Sequence, residues 1–273
     1  MGLKIGAMKR SAFLFACGAL GVPTALPAQT GRLAAVRARR VLRVGETGDY
    51  KPFTYFDSRG SWSGFDVESA QALARALGVT LALVKTTWPT MTADLAADAF
   101  DLAMGGISVS PQRAAAGLLS APYCRDGKVA LIRLADANRY HALRDLDVPE
   151  TRVAVNPGGT NFTFVSSYIR HAKVTVIEAN LAIPPFIAAG TYDVMITDGI
   201  EAAYDARNDP TLTVMNLASP FTSIAKAYYA PKDAADLIAA VNGWLSAREA
   251  DGTERALREK YFGSNTNAPN PSS

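Results

Sequence analysis

The sequence predicts an α/β protein built from two similar lobes. Short β-branched runs alternate along the chain with segments of helical periodicity, which favours sheets flanked by helices. Residues 99–104 resemble residues 191–196, and a spacing of roughly ninety residues is the size of a domain rather than of a short repeat. The 273 residues are 49% hydrophobic and 19% charged, an ordinary composition that excludes disordered, collagenous and coiled-coil proteins.

The first half of the chain carries clear signals for where helices begin and end. Its predicted strands cover residues 41–44, 79–84 and 100–104, and its predicted helices cover residues 66–77 and 91–99. Asp66 is the predicted N-cap of the first helix, and Gly78 ends it. Ser110 and Pro111 predict the start of another helix, because serine suits the N-cap and proline the first helical position.

The second half repeats the alternation. Its predicted strands are residues 152–155, 174–177 and 192–198, and its predicted helices are residues 162–171, 181–189 and 233–262. Pro184 and Pro185 must distort the helix at 181–189 or stand at its start, because proline cannot donate a helical hydrogen bond.

Each predicted strand ends in a polar or glycine-rich loop. In parallel α/β sheets, ligands bind beyond the carboxyl ends of the strands. The sequence therefore predicts a binding site formed by the loops at residues 45–53, 86–90, 105–108 and 156–161.

The N-terminus has the pattern of a signal peptide. Lys4, Lys9 and Arg10 form a basic start, an apolar run follows, and small residues predict cleavage after Ala28. The apolar run is shorter than the roughly 20 residues of a membrane span, so a membrane anchor is the weaker alternative. Lipidation at Cys17 is a second alternative. The mature protein is expected in the periplasm, with no stable membrane insertion.

The charge and cysteine content narrow the possible partners. The formal net charge of +3 falls to zero without residues 1–28, which gives no reason to expect a nucleic-acid partner. Cys124 then remains as a single cysteine, expected to be buried and inert. Neither His141 nor His171 has metal-ligand spacing, so no metal site is predicted.

Several loop residues suit a carboxylate-bearing ligand with a flat ring. Arg113 can hold a carboxylate through two hydrogen bonds, assisted by the hydroxyl groups of Ser108 and Thr160, although a surface arginine is the alternative. Tyr50 and Trp88 can enclose a ring, or they belong to the core.

Charged residues of the second half complete the predicted site. Asp198 ends an apolar strand and needs a cationic or hydrogen-bonding partner, and Lys226 is either a second cation of the cleft or a solvated residue. Glu201 follows Asp198 by about one helical turn. Burial and a like charge would raise the pKa of its carboxyl, as a general acid requires; the alternative is an exposed glutamate at a helix start.

Three motifs and an arginine resemble those of the family 3 extracellular solute-binding proteins, which bind polar amino acids. They are residues 48–53 (GDYKPF), 64–67 (GFDV) and 105–108 (GGIS), followed by Arg113. The resemblance spans about residues 41–262 and implies a type II periplasmic-binding-protein fold, in which two hinge strands join the lobes. It places the first lobe at residues 29–135 and 225–263, the second at 136–224, and a flexible tail at 264–273.

A narrower resemblance is to the periplasmic cyclohexadienyl dehydratases, enzymes on the same fold. It is carried by residues 47–53, 87–89, 125–128, 156–161 and 197–201, of which NPGGTN and TDGIE are the more specific. It implies dehydration and decarboxylation of prephenate or arogenate without a cofactor, and Glu201 as the acid. The implied binding residues are Asp49, Tyr50, Trp88, Gly106, Ser108, Arg113, Asn156, Thr160, Asp198 and Lys226.

The chain departs from the dehydratase pattern at Phe162 and Ala225, which are expected to affect substrate choice. The rival interpretation is an amino-acid-binding protein that serves an ABC permease. That function requires the clamp formed by Arg113, Thr160 and Asp198, but no acid at Glu201.

Overall fold

The computed structural model describes residues 1–2 and 31–263, so most of the predicted signal peptide and the predicted tail from residue 264 lie outside the described residues. The helices are α1 Arg32–Arg39, α2 Phe65–Leu77, α3 Met91–Ala96, α4 Pro111–Ala116, α5 Leu143–Leu146, α6 Gly159–Tyr168, α7 Ile183–Ala188, α8 Gly199–Asn208, α9 Ala235–Ala250 and α10 Thr253–Phe262. Short 3-10 helices cover Leu134–Asp136 and Asn180–Ala182.

The strands form two central sheets and two smaller ladders. They are β1 Val41–Glu46, β2 Asp49–Tyr50, β3 Thr54–Phe56, β4 Trp62–Ser63, β5 Thr80–Lys85, β6 Leu102–Ala103, β7 Leu118–Leu119, β8 Cys124–Asp126, β9 Lys128–Arg133, β10 Arg152–Val155, β11 Lys173–Val176, β12 Val194–Asp198, β13 Leu212–Met215, β14 Ile224–Lys226 and β15 Tyr229–Ala230. The first sheet has the order β5-β1-β6-β15-β7, and the second has the order β11-β10-β12-β9-β13.

The two sheets share one plan, which confirms the predicted pair of similar lobes. In each sheet three parallel strands lie side by side, namely β5, β1 and β6 in the first and β11, β10 and β12 in the second. The fourth strand of each sheet, β15 or β9, is antiparallel. Each sheet is therefore mixed rather than wholly parallel, because its fourth strand is entered directly from a crossing between the lobes.

The crossings are β8 and β14, which pair with each other in an antiparallel ladder. Strand β9 follows β8 almost immediately and already belongs to the second sheet. The second sheet therefore begins at Lys128, before the lobe boundary at residue 135 that the resemblance implies.

Local helix signals were mostly correct. Gly78 ends α2 in the left-handed conformation, and the Ser110 hydroxyl accepts a hydrogen bond from the Arg113 N–H at the start of α4. The paired prolines stand in the first turn of α7, where a missing N–H costs little.

Asp66 is not the N-cap that was predicted, since Gly64 occupies that position. The buried Asp66 carboxyl instead accepts hydrogen bonds from the backbone N–H groups of Gly105 and Gly106 and from the Tyr123 hydroxyl. It thereby fixes the loop after β6, which contributes to the site described below.

Glu46 ends β1 inside the first lobe with no exposed surface. Its Oε2 accepts a hydrogen bond from the Thr54 hydroxyl at 2.5 Å, and its Oε1 has no hydrogen-bond partner among the described residues. Burial raises the pKa of Glu46 well above its usual value. The folded chain therefore holds the proton more tightly than the unfolded chain does.

Replacement of Glu46 tests this buried carboxyl. The contribution of Glu46 to the free energy of unfolding should fall as pH rises above about 4.3, the pKa of an unperturbed glutamate, because the unfolded chain then loses this proton more readily than the folded chain. Glu46→Gln cannot ionise, so its advantage in melting temperature over the wild type should grow with pH. The exposed Glu150→Gln serves as the control and should follow the wild type. A pH-independent difference for Glu46→Gln would contradict the assignment.

Candidate active site

A small cavity lies between the lobes, beyond the carboxyl ends of the parallel strands. Its volume is about 20 Å³, room for little more than one water molecule. The residues that line it are Tyr50, Trp88, Gly106, Ser108, Arg113, Asn156, Gly158, Gly159, Thr160, Asn161 and Asp198. Most of the residues singled out in the sequence are thus brought together in one place.

Asp198 stands at the centre of the charges in this cleft. Its Oδ1 accepts a hydrogen bond from the Lys128 ammonium at 2.7 Å, and its Oδ2 accepts one from Lys226 at 2.6 Å and one from the Tyr50 hydroxyl at 2.5 Å. Burial would raise the pKa of Asp198, but the two ammonium groups outweigh burial and hold that pKa well below its usual range. Asp198 is therefore a carboxylate whose acceptors are already engaged.

Lys128 is a part of the site that sequence reasoning did not single out. Its buried ammonium also binds the Thr160 hydroxyl at 2.9 Å and the Asn161 side-chain oxygen at 2.5 Å. The available signal was a lysine at the head of an otherwise apolar strand, since every residue from 128 to 132 is buried. A lysine in such a position requires an acidic partner elsewhere.

Lys226 reaches the cleft and is not a solvated residue. It ends the crossing strand β14 with no exposed surface, and it binds the Ser108 hydroxyl at 3.0 Å and Tyr50 at 3.1 Å. The negative charge of Asp198 overcomes burial and raises the pKa of Lys226. Lys226 therefore stays charged at neutral pH.

Arg113 is buried, which excludes the alternative of a surface arginine. Its Nη1 donates to the Ser108 carbonyl at 2.7 Å, and its guanidinium lies 5.9 Å from the centre of the Trp88 ring. Burial lowers the pKa of Arg113, yet a guanidinium remains charged in proteins. Among the described residues no carboxylate forms an ion pair with it, so its charge is available to an anion.

The aromatic residues form one wall of the cleft. Tyr50 meets Trp88 edge to face, with the ring centres 5.4 Å apart. Gly106 adopts a φ of +69°, and a Cβ there would lie 2.4 Å from the Tyr50 ring. Gly106 thus allows the close approach of Tyr50, while its N–H is occupied by Asp66.

Asp49 does not line the small cavity. Its carboxyl accepts the Trp88 indole N–H at 3.1 Å, and it faces a neighbouring cavity of about 360 Å³. Asp49 therefore supports Trp88 from outside the cleft.

Glu201 is buried directly behind this charged group. Its Oε1 accepts a hydrogen bond from the Asn180 amide at 2.7 Å, and its Oε2 accepts one from the Thr197 hydroxyl. Burial and then the charge of Asp205 raise the pKa of Glu201 well above its usual value. Glu201 is therefore not an exposed glutamate at a helix start, and its buried carboxyl holds a proton more tightly than an exposed glutamate does.

Asn180 joins Glu201 to the opposite lobe and was missed in the sequence. The same amide nitrogen that donates to Glu201 also donates to the Asp49 carbonyl at 2.9 Å. Asn180 lies in a short 3-10 helix before α7, where the sequence shows only an apolar segment interrupted by prolines. Glu201 itself is absent from the wall of the small cavity and lines a larger one behind it.

The remaining predicted positions lie apart from the cavity. Phe162 is on the exposed side of α6, and Ala225 pairs with Arg125 in the crossing ladder. Cys124 is a free, buried thiol whose pKa is raised by burial, which agrees with an inert role. Within residues 1–2 and 31–263 there is no cluster of three or more metal-ligating side chains.

Two mixed sheets joined by a pair of crossing strands, with a charged site between them, define a solute-binding protein. The sequence profile of the bacterial extracellular solute-binding proteins, family 3, matches residues 42–264. The chain belongs to this family. In the described part of the chain, no helix is long and apolar enough to cross a membrane.

Individual relatives include both an enzyme and binding proteins. The chain is 40% identical to the cyclohexadienyl dehydratase of Pseudomonas aeruginosa over 247 residues, which cover 90% of this chain and 92% of that protein. It is 29% identical to the L-cystine-binding protein of Escherichia coli over 237 residues, which cover 86% and 88% of the two chains.

Solved structures give the same two classes. An ancestral amino acid-binding protein, described as a precursor of cyclohexadienyl dehydratase, superposes with a TM-score of 0.79 at 33% identity over 85% of this chain and 100% of that chain. An ancestral cyclohexadienyl dehydratase superposes with a TM-score of 0.54 at 45% identity over 85% and 97% of the two chains.

Removal of the central carboxylate should destabilise the protein strongly. Asp198→Asn leaves two buried ammonium groups without their counter-charge, for which a loss of about 3–5 kcal/mol in the free energy of unfolding is expected. Urea unfolding measures the loss. Asp193→Asn is the matched control, because Asp193 also binds two cations but Arg133 and Arg152 are partly exposed, so its loss should be smaller. Equal losses of stability in Asp198→Asn and Asp193→Asn would contradict the view that burial of the two ammonium groups causes the large effect.

Proposed function

We propose that the protein is a periplasmic cyclohexadienyl dehydratase that converts prephenate to phenylpyruvate, arogenate to phenylalanine, or both. The observation that carries this proposal is the pairing of an excess of buried positive charge with a buried glutamate of raised pKa behind it. Arg113, Lys128 and Lys226 outnumber Asp198, and Glu201 lies one helical turn further along the chain. The 40% identity to the dehydratase of Pseudomonas aeruginosa supports the same function.

The cations suit a substrate that carries two carboxylates. Arg113 offers a planar donor pair, while the ammonium groups of Lys128 and Lys226 are point charges on either side of Asp198. The hydroxyl groups of Ser108 and Thr160 and the amide of Asn156 would complete the clamp. Tyr50 and Trp88 would hold the ring against the cleft wall.

Glu201 would act as the general acid. Its proton goes to the leaving hydroxyl, the ring carbon–oxygen bond breaks, and water departs. The electrons of the ring carbon–carboxylate bond form the new double bond, carbon dioxide leaves, and the ring becomes aromatic. Burial raises the pKa of Glu201, which favours the protonated form that this role requires.

Substrate entry would require the lobes to separate. The cavity of about 20 Å³ is far below the roughly 300 Å³ at which ligand pockets begin. Hydrogen bonds join the lobes beside it, from Tyr50 to Asp198, from Asn180 to the Asp49 carbonyl and from the Thr160 hydroxyl to the Ser108 hydroxyl. Opening about β8 and β14 would break these bonds, and closure on the substrate would exclude water from the acid.

Binding of an amino acid for an ABC permease is the second candidate function. The buried Arg113 and the similarity to binding proteins favour it. The occupied acceptors of Asp198 disfavour it, because the amino group of an amino acid would need a free carboxylate. Export through the predicted signal peptide at residues 1–28, followed by residence in the periplasm, is part of both proposals.

Turnover of prephenate by the mature protein tests the enzymatic function. Glu201→Gln should lower kcat by about 10²–10⁴-fold, because the amide has nearly the same size and shape but cannot donate an acidic proton. Phenylpyruvate absorbance follows the reaction, and calorimetry should show that the variant still binds substrate. Exposed Glu259→Gln is the control. Wild-type protein that binds amino acids tightly but leaves prephenate at its spontaneous rate would refute the enzyme.

The carboxylate clamp is tested separately at Arg113. Arg113→Ala should weaken binding of the dicarboxylate by about 1.5–3 kcal/mol, the contribution of a hydrogen bond to a charged group. Arg113→Lys keeps the charge but not the planar donors, so it should recover only part of the affinity. Calorimetric titration measures both variants. Unchanged affinity in Arg113→Ala would exclude this residue from the clamp.

A further inference from the structure

The proposed reaction consumes a proton in every turnover. Prephenate enters with two negative charges, and phenylpyruvate leaves with one, together with carbon dioxide and water. After Glu201 has donated its proton, its carboxylate must be protonated again from solvent. The inference below rests on the proposed function and concerns the route by which this proton returns.

A cavity of about 670 Å³ lies behind Glu201, on the side away from the cleft. Glu201 is the buried residue at its inner end, Asp205 is half-buried along its wall, and Asn208 is exposed at its rim. Helix α8 carries all three residues at spacings of four and three, so they lie on one face of the helix. This cavity therefore leads from solvent to the acid while the cleft remains closed.

Between Glu201 and the cavity rim, Asp205 is the only carboxyl that α8 presents to the cavity, which Tyr204 also lines. Its carboxyl has no hydrogen bond or ion pair among the residues that the structure describes. Lys51 faces it across the cavity, and burial outweighs that charge and raises the pKa of Asp205 to about 7. The charged or titratable groups around Glu201 are Asp205, Asp198 and Tyr50.

We propose that the rear cavity, defined by its lining residues Lys51, Asn180, Tyr204, Asp205 and Asn208, is the route by which solvent protons return to Glu201, and that Asp205 carries them. A protonated Asp205 gives its proton to the Glu201 carboxylate and is itself protonated from solvent. No other reactant is needed. Asp205 does not touch the substrate. It acts through Glu201, to which it supplies the proton, and is therefore a positioning residue and not a catalytic one.

The pH dependence of kcat for prephenate tests this route in the wild type and three variants. Asp205→Asn should lower kcat about tenfold above neutral pH and move the basic limb of the profile down by about one pH unit, with KM little changed. Asp205→Glu should restore the profile. Asp209→Asn is the matched control, because Asp209 lines the same cavity but is bound to Thr211, and it should behave as the wild type.

Small acids give a second measurement. Imidazole buffer should partly restore the kcat of Asp205→Asn, because the rear cavity is large enough to admit it. A wild-type profile in Asp205→Asn would overturn the route, and so would a loss that is independent of pH and not recovered by Asp205→Glu or imidazole. Absence of turnover in the wild type would instead refute the proposed function, which separates the two failures.

Discussion

The ion pairs of Asp198 with Lys128 and Lys226 determine how the two lobes meet. The three residues come from β12, β9 and β14, and Tyr50 of the first lobe adds a hydrogen bond to the same carboxylate. A buried charge without a partner costs several kcal/mol, so these segments must converge for any one of them to be buried. The geometry of the cleft follows from that requirement.

The same arrangement separates the proton affinities of two carboxyls one helical turn apart. Asp198 faces two ammonium groups, which hold its pKa low. Glu201 faces an amide, a hydroxyl and the acid Asp205, while burial holds its pKa high. Neighbouring carboxyls with opposite shifts are a common basis for acid catalysis. Lys128 and Lys226 thus keep Asp198 an anion, and helix α8 places beside it a carboxyl that binds a proton more tightly than usual.

Local features were readable from the sequence because their causes lie within a few residues. Gly78 and Ser110 mark a helix end and a helix start through their own backbone and side chain. The antiparallel strands β9 and β15 were not readable, because their direction depends on the crossings β8 and β14. Asp66 was misplaced for a similar reason, since its partners lie in a loop about forty residues away.

The site residues also differ in whether local sequence is enough to predict them. Arg113, Thr160 and Asp198 could be predicted because each follows a strand end or opens a helix, where ligands commonly bind. The place of Lys128 in the site could not be predicted, because it depends on an ion pair with Asp198, 70 residues further along the chain. Two of the three buried cations, Lys128 and Lys226, pair with this carboxylate and Arg113 pairs with none among the described residues, so a dicarboxylate can enter without displacing Asp198. Asp198 then balances the charges of Lys128 and Lys226, so that the protein can fold and the cleft can close before any substrate is present.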